Sequence, residues 1–172
     1  MVKKENVMKT PDISVLLRKV NDSPKLAVFL RILCYGCTFA CVFAFGYMLV
    51  HFILMSLVDA ICFMAVLGVP FVLVSLMRRW INAPRPYELY DFYTSPPKKK
   101  KGDSFPSRHA FSAFAIGTLC MIVNPTIGII TLSFGLVMCF CRVALGIHFI
   151  RDVLAGSIIG AVSSVIGILI LL

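Results

Sequence analysis

The sequence predicts an all-α polytopic membrane helix bundle, with about five transmembrane helices and an N-terminal amphipathic helix. Two observations carry that prediction. Hydrophobic types fill 59% of the 172 residues and charged types only 15%, against about 45–50% and 25% in ordinary soluble domains. The apolar residues also fall into long runs, and a lipid-spanning helix needs about 20 of them. Such a chain is neither an ordinary soluble domain, nor disordered, nor a disulfide scaffold. No soluble catalytic domain can be hidden in it, so any active site must be built from helix ends and short connections.

Residues 1–25 form a basic N-terminal segment. Ile13, Val15, Leu16, Leu17 and Val20 recur at roughly helical spacing there, as in a short amphipathic helix lying on a membrane surface. Asp12 is placed to cap it. Residues 26–172 form the membrane domain. The first span is expected within 26–52, interrupted only by Arg31. The second is expected within 53–77, interrupted only by Asp59, with a tight turn in the interval 51–56. Asp59 fits the first turn of that second span, where a carboxylate suits the helix dipole.

The stretch 78–109 changes character. It holds Arg78, Arg79, Arg85, four lysines at 98–101, and prolines at 84, 86, 96, 97 and 106. The prolines argue against a long regular helix. Trp80, Tyr87, Tyr90, Phe92 and Tyr93 are interleaved, as suits the headgroup zone. A third span follows at 107–123, a turn at Asn124-Pro125, a fourth span at 126–143, a short connection, and a fifth span at 151–172. Gly146, Gly156, Gly160 and Gly167 would allow close helix approach.

The seven cysteines lie mostly inside apolar runs, where cysteine behaves as a small hydrophobe, so no disulfide is expected. Cys34, Cys37 and Cys41 share one helix face, which reads as packing rather than redox chemistry. The net charge of +9 sits outside the apolar runs. It points to anionic lipid headgroups or a phosphate-bearing substrate rather than to nucleic acid.

Chemistry-bearing residues collect in three segments: 78–86, 105–109 and 142–152. If spans alternate direction, all three meet at one membrane face. There they bring arginines, His109, His148 and Asp152 together. Arginine offers paired planar donors that match phosphate oxygens. The start of the third span, with Ser107, adds backbone N–H groups and a dipole end that favour an anion. Two imidazoles can divide nucleophilic attack and leaving-group protonation between them. Asp152, four residues after His148, reaches its ring on a helical turn.

These segments resemble the three signature motifs of the type 2 phosphatidic acid phosphatase family, which also includes vanadium haloperoxidases. The family patterns are Lys-x6-Arg-Pro, Pro-Ser-Gly-His and Ser-Arg-x5-His-x3-Asp. This chain reads Arg78-x6-Arg85-Pro86, Pro106-Ser107-Arg108-His109 and Cys141-Arg142-x5-His148-x3-Asp152. The resemblance implies that His148 is the nucleophile and forms a phosphohistidine, that Asp152 orients it, and that His109 is the general acid. It implies that Arg78, Arg85 and Arg142 bind the phosphate, helped by Ser107 and the Arg108 backbone, with no metal and no cofactor. Three positions depart from the family: Arg78 replaces lysine, Cys141 replaces serine and Arg108 replaces glycine.

The expected function is an integral membrane phosphatase acting on a lipid phosphate monoester or pyrophosphate. Phosphatidylglycerophosphate, phosphatidate and polyprenyl pyrophosphate all fit. The alternative is a non-catalytic lipid-phosphate binding or transport protein, which would not need His109, His148 and Asp152 together. The expected location is the cell membrane. The positive-inside rule places the basic tail and loop in the cytoplasm, whereas the resemblance implies an outward-facing site. Nothing in the sequence speaks to oligomeric state.

Overall fold

The computed structural model describes residues 11–90 and 101–171. The elements are α1 (Pro11–Asn21), α2 (Pro24–Met55), α3 (Leu57–Ile81), the single turn α4 (Pro86–Leu89), α5 (Arg108–Val123), α6 (Pro125–Ala144) and α7 (Ile150–Leu171). No strand occurs among the described residues. Among the described residues, four helices are long and apolar enough to cross a membrane: α2, α3, α6 and α7. Their outward faces carry large exposed apolar side chains such as Phe43, Leu54, Leu73 and Leu169, the pattern of a surface solvated by lipid. The chain is a multi-pass membrane helix bundle.

The third expected span, α5, has only 16 residues, about 24 Å at 1.5 Å per residue. It is the core of the bundle, in contact with α2, α3, α6 and α7. Small residues let its neighbours come close. A Cβ on Gly156 or Gly160 of α7 would collide with the carbonyl oxygens of Ser107 and Phe111 on α5. This is the small-residue approach that membrane helices use where lipid competes with every apolar contact.

Local chemistry sets the helix ends. The turn expected in 51–56 narrows to Ser56, which ends α2 and caps α3. Its Oγ accepts from the Asp59 backbone N–H at 3.0 Å and donates to Asp59 Oδ2 at 2.7 Å. Asp59 is thus in the first turn of α3. Asn124 caps α6 in the same way, accepting from the Ile127 N–H at 3.2 Å.

The N-terminal helix begins at Pro11, so Asp12 lies inside its first turn rather than at the cap. Its apolar residues Leu17 and Val20 are buried, Arg18 and Lys19 are exposed, and it rests on α2 and α6. Cys34, Cys37 and Cys41 form a buried face of α2 against Ala113, Met138 and Cys141, and all seven cysteines are free thiols. The loop residues Phe92, Tyr93, Pro96, Pro97 and the lysines at 98–100 lie outside the described residues.

Candidate active site

The site is assembled where α3, α5, α6 and α7 end or begin on one side of the bundle. Two backbone ties hold it. The Ser107 N–H donates to the Asp152 carbonyl at 2.8 Å, joining the start of α5 to the first turn of α7. The α6–α7 connection turns back on itself through Gly146, whose φ of 65° suits glycine and disfavours other residues. That turn lets the N–H groups of Ile147 and His148 both donate to the Arg142 carbonyl, at 3.0 and 3.3 Å. Arg142 and His148 are thereby fixed relative to each other.

The His148 ring is buried, and Nδ1 lies 3.4 Å from Asp152 Oδ2. The carboxylate is fully buried, which is costly for an ion unless donors surround it. Oδ2 accepts from the Phe149 N–H at 3.0 Å and from the Ser104 hydroxyl. Ser104 Oγ is also 3.4 Å from His148 Nδ1. With its proton given to the carboxylate, that hydroxyl presents only lone pairs to the ring. Both neighbours of Nδ1 therefore call for a proton there, leaving the lone pair on Nε2. Burial pushes His148 down to about 4, aided by Arg142 and Arg85 and opposed by its hydrogen bond to Asp152. The ring is neutral near pH 7, as a nucleophile must be.

His109 sits differently. It lies in the first turn of α5, close enough to His148 and Arg142 for their charges to act on it. Unlike His148 it is exposed, and it faces a cleft of about 450 Å³. Thr38, Val42 and Phe45 of α2, Phe71 of α3 and Met138 of α6 line that cleft. It is an apolar groove on the flank of the bundle with a histidine and Arg108 in its wall. The Arg108 guanidinium lies 6.0 Å from the centre of the Phe71 ring. Ser107, fully buried, caps α5 through an Oγ that accepts from the Ala110 N–H at 3.5 Å.

The arginines divide unexpectedly. Arg78 was expected among the phosphate ligands. Its buried guanidinium donates to the carbonyls of Asp103, Ser104 and Pro106. Arg85 donates through Nε to Gly102 at 2.9 Å and through Nη2 to Asp103 at 3.3 Å. Glu88 closes the same loop, accepting from the Arg85 and Gly102 N–H groups at 3.0 and 2.8 Å. These contacts hold the 102–107 segment, and with it Ser104, against His148 and Asp152. Arg142 has a buried Nε with no hydrogen-bond partner, an unsatisfied cationic donor beside both histidines. Cys141 points into the α2–α6 core.

Ser104 is the residue that sequence reasoning missed. The only available signal was its place two residues before Pro106, just outside the 105–109 segment singled out for its chemistry.

Comparison with known proteins bears on the family and the fold. A search of curated proteins finds no match. Among solved structures, LpxE from Aquifex aeolicus superposes with a TM-score of 0.69 at 24% identity, covering 90% of this chain and 93% of that one. A transmembrane PAP2-type phosphatidylglycerolphosphate phosphatase from Bacillus subtilis superposes with a TM-score of 0.67 at 20% identity, covering 95% and 86%. At these identities the likeness establishes the shared fold. The family assignment comes from the sequence profile described as PAP2 superfamily, which matches residues 59–171 and so takes in all three motif segments. The chain belongs to the PAP2 superfamily.

Proposed function

We propose that this protein is a membrane phosphatase that removes a terminal phosphate from a lipid through a phosphohistidine on His148. The observation that carries the reading is the contrast between the two histidines. One is buried with its Nδ1 side held by Asp152 and Ser104. The other stands in the wall of an apolar groove. A lipid phosphate has this same polarity: the leaving oxygen carries the apolar tail, and the nucleophile attacks phosphorus from the opposite side.

In the proposed reaction the substrate tail lies in the groove and its phosphate between the two rings. His148 Nε2 attacks phosphorus while His109 donates a proton to the departing lipid oxygen. A new N–P bond forms, the P–O bond to the lipid breaks, and the lipid leaves as its alcohol or as the shortened phosphate. Water, deprotonated by the now neutral His109, then attacks phosphorus. The N–P bond breaks and inorganic phosphate leaves. Asp152 stabilises the charge that the His148 ring gains on attack, and Ser104 positions both. Arg142 and Arg85, with the N-terminus of α5, neutralise the phosphate oxygens, which is most of what phosphoryl transfer requires. Arg78 contributes by holding the loop that carries Ser104. With charge supplied by arginines, the scheme uses no metal.

The test is phosphate release by the purified protein from phosphatidate, phosphatidylglycerophosphate and polyprenyl pyrophosphate in detergent micelles. The wild type should release phosphate from at least one of them. His148→Ala should lose at least about 10⁴-fold in kcat, the scale seen when a nucleophile is removed, while keeping its helical circular dichroism. Retained turnover in that variant would refute the role of His148. Lipid-phosphate binding without turnover in the wild type would favour the binding or transport alternative.

A further inference from the structure

The carboxylate of Asp152 is held unevenly. Its Oδ2 takes the Phe149 N–H and the Ser104 hydroxyl and faces His148 Nδ1. Its Oδ1 is buried and, among the described residues, accepts no hydrogen bond. A proton binding at Oδ1 would therefore displace no donor, and the carboxyl would keep its acceptor capacity at Oδ2. It would nevertheless cancel the charge that supports His148 during attack.

One cation stands at that oxygen. Arg151 Nε lies 3.6 Å from Asp152 Oδ1. Local preference does not put it there. Arg151 is in the first turn of α7, where the helix dipole disfavours a positive charge. Its side chain is 65% exposed, so water was open to it. The side chain folds back instead over the Phe149 ring, its guanidinium carbon 5.2 Å from the ring centre. Phe149 meets Tyr90 edge-on in turn, with ring centres 6.3 Å apart. Tyr90, Phe149 and Arg151 thus form a stack that seats a guanidinium beside the donor-free oxygen. The family motifs specify none of the three: Tyr90 lies outside them, and Phe149 and Arg151 fill open positions between His148 and Asp152.

We propose that Arg151 is a positioning residue for the phosphoryl transfer, keeping Asp152 ionised and turned with Oδ2 toward His148. The proposal rests on the phosphatase reading above and adds a residue to it. Arg151 acts through Asp152 rather than on the substrate. Other charged or titratable groups act on this carboxylate, on the His148 ring or on each other from the neighbouring elements: Arg78 of α3, Arg85 ahead of α4, Asp103 of the loop, Arg108 and His109 of α5, and Arg142 of α6. A substitution at position 151 leaves all of these residues in place, so a change in the pH profile reports on Arg151.

The experiment measures kcat and KM against pH for the full chain in detergent micelles, on phosphatidate and on p-nitrophenyl phosphate. Without the guanidinium, Asp152 takes a proton more readily and His148 holds one more tightly. Both effects move the acid limb of kcat/KM to higher pH. Arg151→Ala and Arg151→Gln should each move it by about one pH unit, the low end for a lost opposite charge because the arginine is largely exposed. On that limb the loss is about tenfold; well above it, kcat should stay close to wild type. The shift should be the same for both substrates, because it arises at the nucleophile and not at the lipid tail. Arg151→Lys, which restores the charge, should return the limb most of the way. Phe149→Leu keeps Arg151 but removes its seat, and should give a smaller shift in the same direction, which keeps the test open if Arg151→Ala folds poorly. An unmoved acid limb in Arg151→Gln and Phe149→Leu would overturn the proposal. So would an effect confined to KM for phosphatidate, the mark of an arginine that only anchors headgroups; either result leaves the phosphatase reading intact. Wild-type protein that releases phosphate from neither these substrates nor the other lipid phosphates would overturn that reading, and the role of Arg151 with it.

Discussion

The surroundings of His148 and His109 have little in common. His148 is enclosed: its Nδ1 side meets a carboxylate and a serine hydroxyl, and its backbone is tied to Arg142. His109 is open, and the groove beside it is walled by Val42, Phe45, Phe71 and Met138. The first environment fixes one ring, one tautomer and one charge state before anything binds. The second does little to orient its ring and offers space to something apolar. What the difference teaches, on the proposed reading, is that the rigid half of the site would serve the step common to any phosphate ester, whereas the open half would meet the part that makes the substrate a lipid.

The contrast can be broken at several points, beginning with the strongest. His109→Ala should cost about 10²–10⁴-fold in kcat on a lipid phosphate, the range for losing a general acid. On p-nitrophenyl phosphate, whose leaving group departs without a proton, the loss should be much smaller. Initial rates on both substrates decide it, and equal losses would remove His109 from the leaving-group side.

Ser104→Ala probes the enclosed half. Losing a hydrogen bond to a charged group costs about 1.5–3 kcal/mol, so kcat should fall roughly 10–100-fold with KM little changed. The pH profile gives the sign. In the wild type His148 titrates near 4, so its protonation should cut kcat/KM only well below pH 6.5. Without the serine donor the carboxylate holds its own proton more tightly and also supports a charged ring more strongly. Either effect moves the acid limb to higher pH, and Ser104→Thr should restore it. A fall in yield with an unmoved acid limb would reduce Ser104 to a structural part.

Val42→Trp sharpens the open half and carries the smallest effect. The residue is exposed on α2 and lines the groove. A larger ring there should raise KM for a long-chain lipid roughly tenfold, about 1.4 kcal/mol, and leave a short water-soluble phosphate ester unchanged. Equal effects on both would mean that the groove does not hold the tail.

The two halves were also unequally legible in the sequence. Long apolar runs announced α2, α3, α6 and α7, because lipid imposes length and composition on anything that crosses it. The third span was harder to read, since α5 is surrounded by helices and can stay at 16 residues. His109, His148 and Asp152 stood out by residue type and spacing. Ser104 did not, because its role depends on a loop folding back over 48 residues of chain to reach Asp152. Arg78 was visible as a charge but not as a direction: only coordinates reveal that its donors meet carbonyls of the 103–106 stretch. The groove could not be read at all, being formed by side chains of four helices.

The central claim is that phosphate passes through His148. Rapid acid-free quenching during turnover of a lipid bearing a ³²P-labelled terminal phosphate tests it most directly. The account predicts acid-labile, base-stable label on the peptide containing His148, formed and lost at rates compatible with turnover and absent from His148→Ala. Steady phosphate release with no label on the protein at any quench time, or label on His109 instead, would contradict it.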